Sequence, residues 1–363
     1  MTPRPEKIER VVVRGVNWVG DAVMTVPALR ALRRALPGAR VTLATRPWAE
    51  GIFAGADFID DLLVTRNDLS KPAALFREAR EWRARRFDLA LLFPNSFAPA
   101  LAAALAGVPA RVGYATQGRS ALLTERVPVP VWRGTRHEVF YYLNLVAELE
   151  RRLYGSSSVE TREPDAELRV TDSRLREAGA LLREHGARPG RTLVAVCPGS
   201  TNSRAKRWPA ERFAAVADLL HEKVGAEIVL VGAAEELDIS LEVGRHMRAR
   251  PVVLTGKTDL AQTAAVLKAA DLLVTNDTGP AHVAAAVGCP VVVIFGPTNP
   301  VTTRPYSTTA EVVRRPPDCA PCMLRDCPID HRCMTAITPE EVFGHAARAL
   351  ELGQRVEKVE VAR

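Results

Sequence analysis

A heptapeptide in the last third of the chain, residues 276–282, reads Asn-Asp-Thr-Gly-Pro-Ala-His and so combines a carboxylate, a hydroxyl, a glycine and an imidazole. The short apolar run of residues 271–275 predicts a buried parallel strand before it, and a helix is predicted behind it. Open α/β sheets bind ligands where their strands end, and a helix N-terminus at that point favours an anion. The segment therefore indicates a nucleotide site, although a lone histidine is also compatible with a structural role. The candidate ligands are Asp277, Thr278, Gly279 and His282.

A second polar loop, residues 197–209, follows the first predicted strand of the second half of the chain. Ser200 and Thr201 offer hydroxyl and backbone donors to phosphate oxygens, and Lys206 adds a mobile positive charge suited to a diphosphate. The alternative is an ordinary exposed basic loop. Because this loop and residues 276–282 are both predicted at the carboxyl ends of strands, the phosphate interpretation is favoured.

Two glutamates in Gly232-Ala-Ala-Glu-Glu236 follow the next predicted strand. A carboxylate there is suited to accept a hydrogen bond from a ribose hydroxyl or an adenine amino group. It is equally suited to the first turn of a helix, where it complements the helix dipole. Glu235 is the candidate nucleoside contact, with Glu236 as the alternative.

Residues 15–21, Gly-Val-Asn-Trp-Val-Gly-Asp, connect the first predicted strand to the first helix. Gly15 and Gly20 let the backbone turn tightly and approach a ligand. A nicotinamide enzyme is disfavoured, because the third glycine of the dinucleotide fingerprint is missing and no acidic residue ends the second strand. Asp21 is either a carboxylate that caps the helix or a general base that faces a cleft, and the spacing leaves both interpretations open.

Four cysteines, Cys319, Cys322, Cys327 and Cys333, lie close together in the sequence with His331 among them. The first pair has the Cys-x2-Cys spacing that forms half of many zinc sites, but the x4 and x5 spacings that follow are not standard. Three interpretations stay open: a structural zinc site, reduced thiols that pack, and redox pairing. The stretch does not have the pattern of a catalytic centre.

Strands and helices alternate along the whole chain, which predicts parallel sheets with helices on both faces. In the first half, strands are predicted at residues 10–14, 40–45, 59–64 and 88–93, a turn into a short strand at 107–113, and helices at 22–36, 72–86 and 137–152. In the second half, strands are predicted at 192–196, 227–231, 251–254, 271–275 and 290–295, after a helix at 172–185. A polar, turn-rich stretch at 155–164 is the candidate linker. We predict one domain at 1–165, a second at 166–337 that includes a Cys-rich segment (residues 319–333), and a C-terminal helix and tail at 338–363.

The composition is that of a soluble α/β protein. The chain has 363 residues, 47% of them apolar and 6% aromatic, and its polar start and short apolar runs argue against a secretory signal or a membrane helix. The net charge of +7 is concentrated in residues 1–165, which hold 24 basic and 18 acidic residues. The basic residues either form solvated helix faces or meet an anionic partner or membrane surface. Nucleic acid is disfavoured, since no binding motif accompanies the arginines.

Three motifs together resemble glycosyltransferase family 9, the ADP-heptose:lipopolysaccharide heptosyltransferases. They are Trp18-Val-Gly-Asp-Ala-Val-Met-Thr-Val-Pro-Ala-Leu29, Cys197-Pro-Gly-Ser with Lys206-Arg-Trp-Pro209, and Asn276-Asp-Thr-Gly-Pro-Ala-His282 with Phe295-Gly-Pro-Thr298. The form Asn-Trp-Val-Gly-Asp, and Thr45-Arg-Pro-Trp48, are more similar to the heptosyltransferase II members than to heptosyltransferase I.

The resemblance implies a GT-B fold, in which two Rossmann-like domains face each other across a cleft, the first binding the acceptor and the second ADP-heptose. It implies inverting transfer of heptose to the first heptose of the lipopolysaccharide inner core, with Asp21 as general base. It implies phosphate and nucleotide-sugar contacts from Ser200, Thr201, Lys206, Asp277, Thr278, Gly279 and His282. The acceptor is anionic and lipid-anchored, so we expect a cytoplasmic monomer at the inner face of the cytoplasmic membrane.

No cofactor is expected for catalysis, because the chain has no Asp-x-Asp triplet to bind a divalent ion through the diphosphate. Lys206 and a helix N-terminus would neutralise the phosphates instead. Two alternatives stay open. The first is another family 9 transferase, of type I or III or with a non-heptose donor. The second is a non-catalytic module that binds a nucleotide or zinc.

Overall fold

Two six-stranded parallel sheets, built from short apolar strands, form the framework of the protein. The structure is a computed structural model that describes residues 4–53, 55–65 and 71–361, with residues 352–361 described by their backbone alone. The last two residues of the predicted C-terminal tail, 362 and 363, lie outside the described residues. The chain divides into two compact units, Met1–Ala166 (unit 1) and Glu167–Arg363 (unit 2).

Unit 1 alternates strands and helices. Its strands are β1 (Arg10–Arg14), β2 (Arg40–Thr45), β3 (Asp61–Val64), β4 (Leu89–Leu92), β5 (Ala110–Tyr114) and β6 (Glu125–Val127). Its helices are α1 (Val19–Met24), α2 (Val26–Ala35), α3 (Pro47–Phe53), α4 (Pro72–Arg85), α5 (Phe97–Leu105) and α6 (Glu138–Tyr154). The sheet order is β3-β2-β1-β4-β5-β6, and every neighbouring pair is parallel.

The strand order of unit 1 is that of a Rossmann fold, and it reverses between β1 and β4. The side chains of Val11, Val12 and Val13 are fully buried, because β1 lies at the centre of a sheet covered on both faces. The loop that follows β1, residues 15–18, therefore begins at the point where this fold class binds ligands.

The helix predicted at residues 22–36 is wrong in one respect, because α1 and α2 are separate helices joined at Thr25. Pro27 has no backbone N–H, and its ring disfavours a continuous helix through the preceding turn. The Thr25 hydroxyl donates to the Ala22 carbonyl at 2.6 Å, which satisfies an acceptor at the break. As a result α1 is a short helix, and Asp21 is its third residue.

Unit 2 repeats the same pattern. Its strands are β7 (Leu193–Cys197), β8 (Glu227–Leu230), β9 (Val252–Val253), β10 (Leu272–Asn276), β11 (Val291–Phe295) and β12 (Ala310–Arg314). Its helices are α7 (Asp172–Glu184), α8 (Ala210–Val224), α9 (Leu237–His246), α10 (Leu260–Ala269), α11 (Gly279–Ala286), α12 (Pro300–Thr303), α13 (Arg332–Thr335) and α14 (Pro339–Val361). The sheet order is β12-β11-β10-β7-β8-β9, again all parallel.

The core of unit 2 lies between this sheet and its helices. Trp208, two residues before α8, and Phe213, in its first turn, are buried and pack edge to face, with ring centroids 5.1 Å apart. The C-terminal helix α14 packs on α8 and on β10 to β12, and Val342 and Ala346 join the same core. Across the described ranges, no helix combines the length and the apolar character that a membrane crossing requires.

Candidate functional site

The loops that follow β7 and β10 start side by side at the carboxyl edge of the unit 2 sheet, since Thr275 pairs with Cys197 in the strand register. Asn276, the last residue of β10, is fully buried and joins the two loops. Its Nδ2 donates to the carbonyls of Pro198 at 2.8 Å and Gly199 at 3.2 Å, and its Oδ1 accepts from the Trp208 backbone N–H at 3.0 Å. These three bonds fix the 198–208 loop to the end of β10. Sequence reasoning did not single out this residue, although an amide that ends a buried apolar strand is a usable signal.

Lys206 and Asp277, predicted separately from the two loops, form an ion pair. Lys206 Nζ lies 2.8 Å from Asp277 Oδ2 and donates to the Asp277 carbonyl at 3.1 Å. The Thr298 hydroxyl donates to the same carboxylate oxygen at 2.7 Å. The Lys206 side chain is 27% exposed and that of Asp277 only 5%, so the ammonium is the accessible partner. Because an ammonium has three donors, the two contacts leave one N–H for an anion.

The N-terminus of α11 lies beside this ion pair. Thr278 is the N-cap residue, but its side chain makes no capping hydrogen bond; its hydroxyl donates to the Asn276 carbonyl at 3.3 Å. Thr278 and Gly279 are half-buried, and His282 is buried on the first turn of α11. Backbone N–H groups at a helix start that lacks a side-chain cap are suited to an anion.

A buried glutamate connects the loop after β8 to the loop after β7. Thr201 Oγ1 donates to Glu236 Oε1 at 3.2 Å, and the Ala233 backbone N–H donates to Glu236 Oε2 at 2.9 Å. A Cβ at Gly199 would overlap the Glu236 carboxylate, so the close approach requires a glycine. Glu235, the other candidate, is exposed. The structure thus brings Glu236, and not Glu235, against the 198–208 loop.

Ser200 is buried at the start of that loop, and its carbonyl accepts from Arg207 Nε at 3.2 Å and Nη2 at 3.1 Å. Cys197, just before it, is fully buried, and burial raises the pKa of its thiol to about 12. This thiol is therefore protonated at neutral pH and behaves as a small apolar group.

In unit 1, residues 15–21 follow the carboxyl end of β1. The Gly15 backbone N–H donates to the Ala44 carbonyl at 2.8 Å, and a Cβ there would lie only 3.2 Å from that oxygen. Trp18 is the N-cap of α1, so Gly20 and Asp21 lie within its first turn, and Asp21 is not the N-cap residue. Burial raises the pKa of Tyr142 on α6, and the negative charge of Asp21 raises it further. The two side chains therefore lie within electrostatic range of each other.

The four cysteines of the Cys-rich segment are free thiols. Cys319 is exposed, Cys322 and Cys327 are half-buried, and Cys333 is buried. Within residues 4–53, 55–65 and 71–361, no group of three or more His, Cys, Asp or Glu side chains has an arrangement that could hold a metal ion. The structural-zinc interpretation of this segment stays a prediction.

Comparison with known proteins gives concordant results. The model of glycosyltransferase family 9 (heptosyltransferase) matches residues 75–332. Lipopolysaccharide heptosyltransferase 2 of Escherichia coli (strain K12) is 28% identical over 319 residues, which cover 84% of this chain and 88% of that protein.

Two solved structures share the fold. The family 9 glycosyl transferase of Veillonella parvula DSM 2008 matches with a TM-score of 0.81 at 26% identity, covering 96% of this chain and 98% of that one. The E. coli ADP-heptose LPS heptosyltransferase II structure matches with a TM-score of 0.79 at 24% identity, covering 95% and 99%. These matches confirm the predicted fold class, a GT-B protein with two Rossmann-like units. The family match, which spans more than two-thirds of the residues, shows that the chain belongs to glycosyltransferase family 9, the heptosyltransferases, and is a glycosyltransferase.

Proposed function

We propose that this glycosyltransferase moves L-glycero-D-manno-heptose from ADP-heptose to the first heptose of the lipopolysaccharide inner core, the reaction of a heptosyltransferase II. The similarity to lipopolysaccharide heptosyltransferase 2 of E. coli supports the choice of type. Because the chain is a glycosyltransferase, this proposal replaces the alternative of a non-catalytic module. Transfer of type I or III is the second candidate.

The observation that carries the donor assignment is the convergence of Lys206, Asp277 and the α11 N-terminus at one edge of the unit 2 sheet. We assign the donor diphosphate to this edge, with contacts from Ser200, Thr201, Lys206, Thr278, Gly279 and His282. Asp277 holds the Lys206 ammonium in place. The nucleoside contact goes to Glu236, since its carboxylate is fixed against the 198–208 loop and Glu235 is exposed.

The proposed reaction inverts the anomeric carbon. Asp21 takes the proton from the acceptor hydroxyl while the hydroxyl oxygen attacks C1 of the donor heptose, and the bond from C1 to the diphosphate oxygen breaks. ADP then leaves with both electrons of that bond. Lys206 and the N–H groups at the start of α11 stabilise the negative charge on the leaving diphosphate, and their fixed positions limit reorganisation during the reaction. The proposal needs no metal or organic cofactor.

The acceptor that this proposal requires is anionic and carries a lipid anchor. Of the net charge of +7, residues 1–165 contribute six units, and they include Asp21. We therefore propose that unit 1 binds the acceptor and that the protein works at the inner face of the cytoplasmic membrane, where a basic surface is attracted to anionic lipids.

The acceptor assignment is tested with ADP-heptose and three acceptors: Kdo–lipid A without heptose, with one heptose, and with two. Type II transfer predicts ADP release and a mass increase of one heptose only with the monoheptosylated acceptor. Product from the heptose-free acceptor would favour type I, and product from the diheptosylated acceptor would favour type III. Transfer from a different nucleotide sugar, with none from ADP-heptose, would contradict the donor assignment.

The role of Asp21 is tested with Asp21→Asn, which keeps the size of the side chain and removes its basicity. We expect kcat to fall by roughly 10²- to 10⁴-fold, the contribution of a positioned general base. The affinity for ADP should stay unchanged, because the proposed nucleotide contacts all lie in unit 2. Steady-state kinetics and calorimetry with ADP measure the two quantities. Undiminished turnover would remove Asp21 from the mechanism.

A further inference from the structure

The Cys-rich segment, which the proposed mechanism does not use, makes extensive contact with the loop that carries Lys206. The Ala205 backbone N–H donates to the Arg325 carbonyl at 2.9 Å, and the Ala205 carbonyl lies 2.6 Å from His331 Nε2. Ala205 is buried, and its backbone N–H and its carbonyl are therefore both hydrogen-bonded to the Cys-rich segment. The Ser203 hydroxyl also donates to the Arg325 carbonyl, at 3.1 Å. These contacts fix the turn Arg204–Lys206 immediately before the Lys206 side chain.

The backbone of His331 has a conformation that few residues other than glycine adopt. Its φ of 58° lies in the left-handed region, which is unfavourable for a residue with a Cβ. Its backbone N–H donates to Cys327 Sγ at 3.3 Å, and its carbonyl accepts from the Met334 backbone N–H at 2.9 Å. The thiol and the start of α13 therefore hold the backbone of His331, from which the imidazole reaches the Ala205 carbonyl.

The other end of the segment is anchored to the loop after β11. The Met323 backbone N–H donates to the Pro297 carbonyl at 2.9 Å. A Cβ at Gly296 would overlap Met334 Sδ and lie 3.1 Å from Cys333 Sγ, so α13 packs directly on the Gly296 backbone. Two residues after Gly296, the Thr298 hydroxyl donates to the Asp277 carboxylate. The segment thus supports both partners of the ion pair, Lys206 through residue 205 and Asp277 through the 296–298 loop.

We propose that the Cys-rich segment positions Lys206 for the donor diphosphate, with His331 as the positioning residue and Cys327 as its support. This inference rests on the proposed role of Lys206 in donor binding. Cys327 accepts a hydrogen bond from the His331 backbone N–H, and Cys333 packs on Gly296. These two cysteines therefore stabilise the fold of the segment. Cys319 is exposed and takes part in none of the hydrogen bonds described above.

The test compares ADP affinity across variants of the full-length protein. We expect His331→Ala to weaken ADP binding about tenfold, because the Ala205 carbonyl loses its donor and Lys206 loses its fixed position. His331→Gln, whose amide nitrogen can take the place of Nε2, should recover most of the affinity. The matched control Cys319→Ser should bind ADP like the parent. Thermal midpoints of all variants, recorded in parallel, separate weaker binding from partial unfolding.

A double variant distinguishes positioning from a general structural role. Lys206→Gln keeps a hydrogen-bond donor for Asp277 and removes the charge. If His331 acts through Lys206, His331→Ala should add little to the loss that Lys206→Gln already causes. Additive losses, or unchanged ADP affinity in His331→Ala while Lys206→Gln binds weakly, would overturn the inference alone. Unchanged affinity in Lys206→Gln would overturn the proposed donor role of Lys206 and the inference with it.

Discussion

Asn276 uses both polar groups of its side chain at the carboxyl edge of the unit 2 sheet. Its amide nitrogen donates to two carbonyls of one loop, and its oxygen accepts from the backbone of Trp208. An aspartate could not replace it, because a carboxylate has no donor for the two carbonyls and would be buried with its charge. At the scale of single residues, therefore, this amide is as important to the site as the residues proposed to touch the donor.

A buried thiol gives the stability of unit 2 a dependence on alkaline pH. Burial raises the pKa of Cys289 to about 12, whereas an exposed thiol titrates near 8.5. Because the pKa is higher in the folded state, the unfolded state loses the thiol proton first as the pH rises above about 8.5. The contribution of this thiol to the free energy of unfolding is therefore complete below about pH 8.5 and is lost as the pH rises towards 12. At pH 10.5 the loss is roughly 2–3 kcal/mol.

We therefore predict that Cys289→Ala flattens the decline of the free energy of unfolding between pH 8.5 and pH 11. Urea titrations at several pH values measure it. Cys319→Ser, which removes an exposed thiol instead of a buried one, is the matched control. Parallel profiles for the parent and Cys289→Ala would contradict the prediction.

At the scale of elements, α8 is fixed by one tryptophan at its start. Trp208 is fully buried, its ring packs on Phe213, and its Nε1 donates to the Ile337 carbonyl at 3.2 Å. Arg212 Nη1 donates to the same carbonyl. The two donors connect α8 to the chain just before α14, and Trp208 also donates its backbone N–H to Asn276. Trp208 therefore links the core of unit 2 to the carboxyl edge of its sheet.

This arrangement predicts unequal effects for two substitutions. Trp208→Ala should destabilise the protein by about 3–5 kcal/mol, the usual result of removing a large buried aromatic side chain. Trp208→Phe should cost less, about 1–2 kcal/mol, because a phenyl ring fills most of the site and Arg212 still satisfies the Ile337 carbonyl. Chemical denaturation of both variants measures the difference. Equal losses would mean that the indole N–H, and not the ring volume, carries the stability.

The elements that sequence could predict are those with a strong local pattern. Each predicted strand is present, because a short stretch rich in apolar residues, in a chain where strands alternate with helices, favours a buried parallel strand. The edge strands β6 and β12 were not predicted, since their burial patterns include exposed or half-buried positions and resemble loops. Likewise, Lys206 and Asp277 were identified by residue type. Asn276, and the choice of Glu236 over Glu235, depend on contacts between loops that no local pattern contains.

At the scale of the whole molecule, the two units share one strand order, each with its candidate residues at the carboxyl edge next to the central strand. Each unit has its own buried core, the first around Trp82 and the second around Trp208. The proposed nucleotide contacts all belong to unit 2, and the proposed base belongs to unit 1. The two units thus repeat one fold with different loop sequences, and the proposed roles follow those loops.

Hydrogen exchange on the full chain tests this division. ADP without acceptor should slow amide exchange in residues 199–206, 232–236 and 277–282, since a ligand stabilises the state that binds it. Exchange in residues 15–21 should stay unchanged. Protection of residues 15–21, with none in 199–206, would place the nucleotide in unit 1 and contradict the proposed assignment.

The ion pair between Lys206 and Asp277 has a further consequence for how fast the donor binds. Its two charges lie 2.8 Å apart and largely cancel at a distance, so the pair adds little to the long-range field that steers an anion. The ammonium attracts a phosphate only at close range, after the encounter. Lys206 should therefore act mainly on the dissociation rate of the nucleotide, and its contribution to the association rate should depend little on ionic strength.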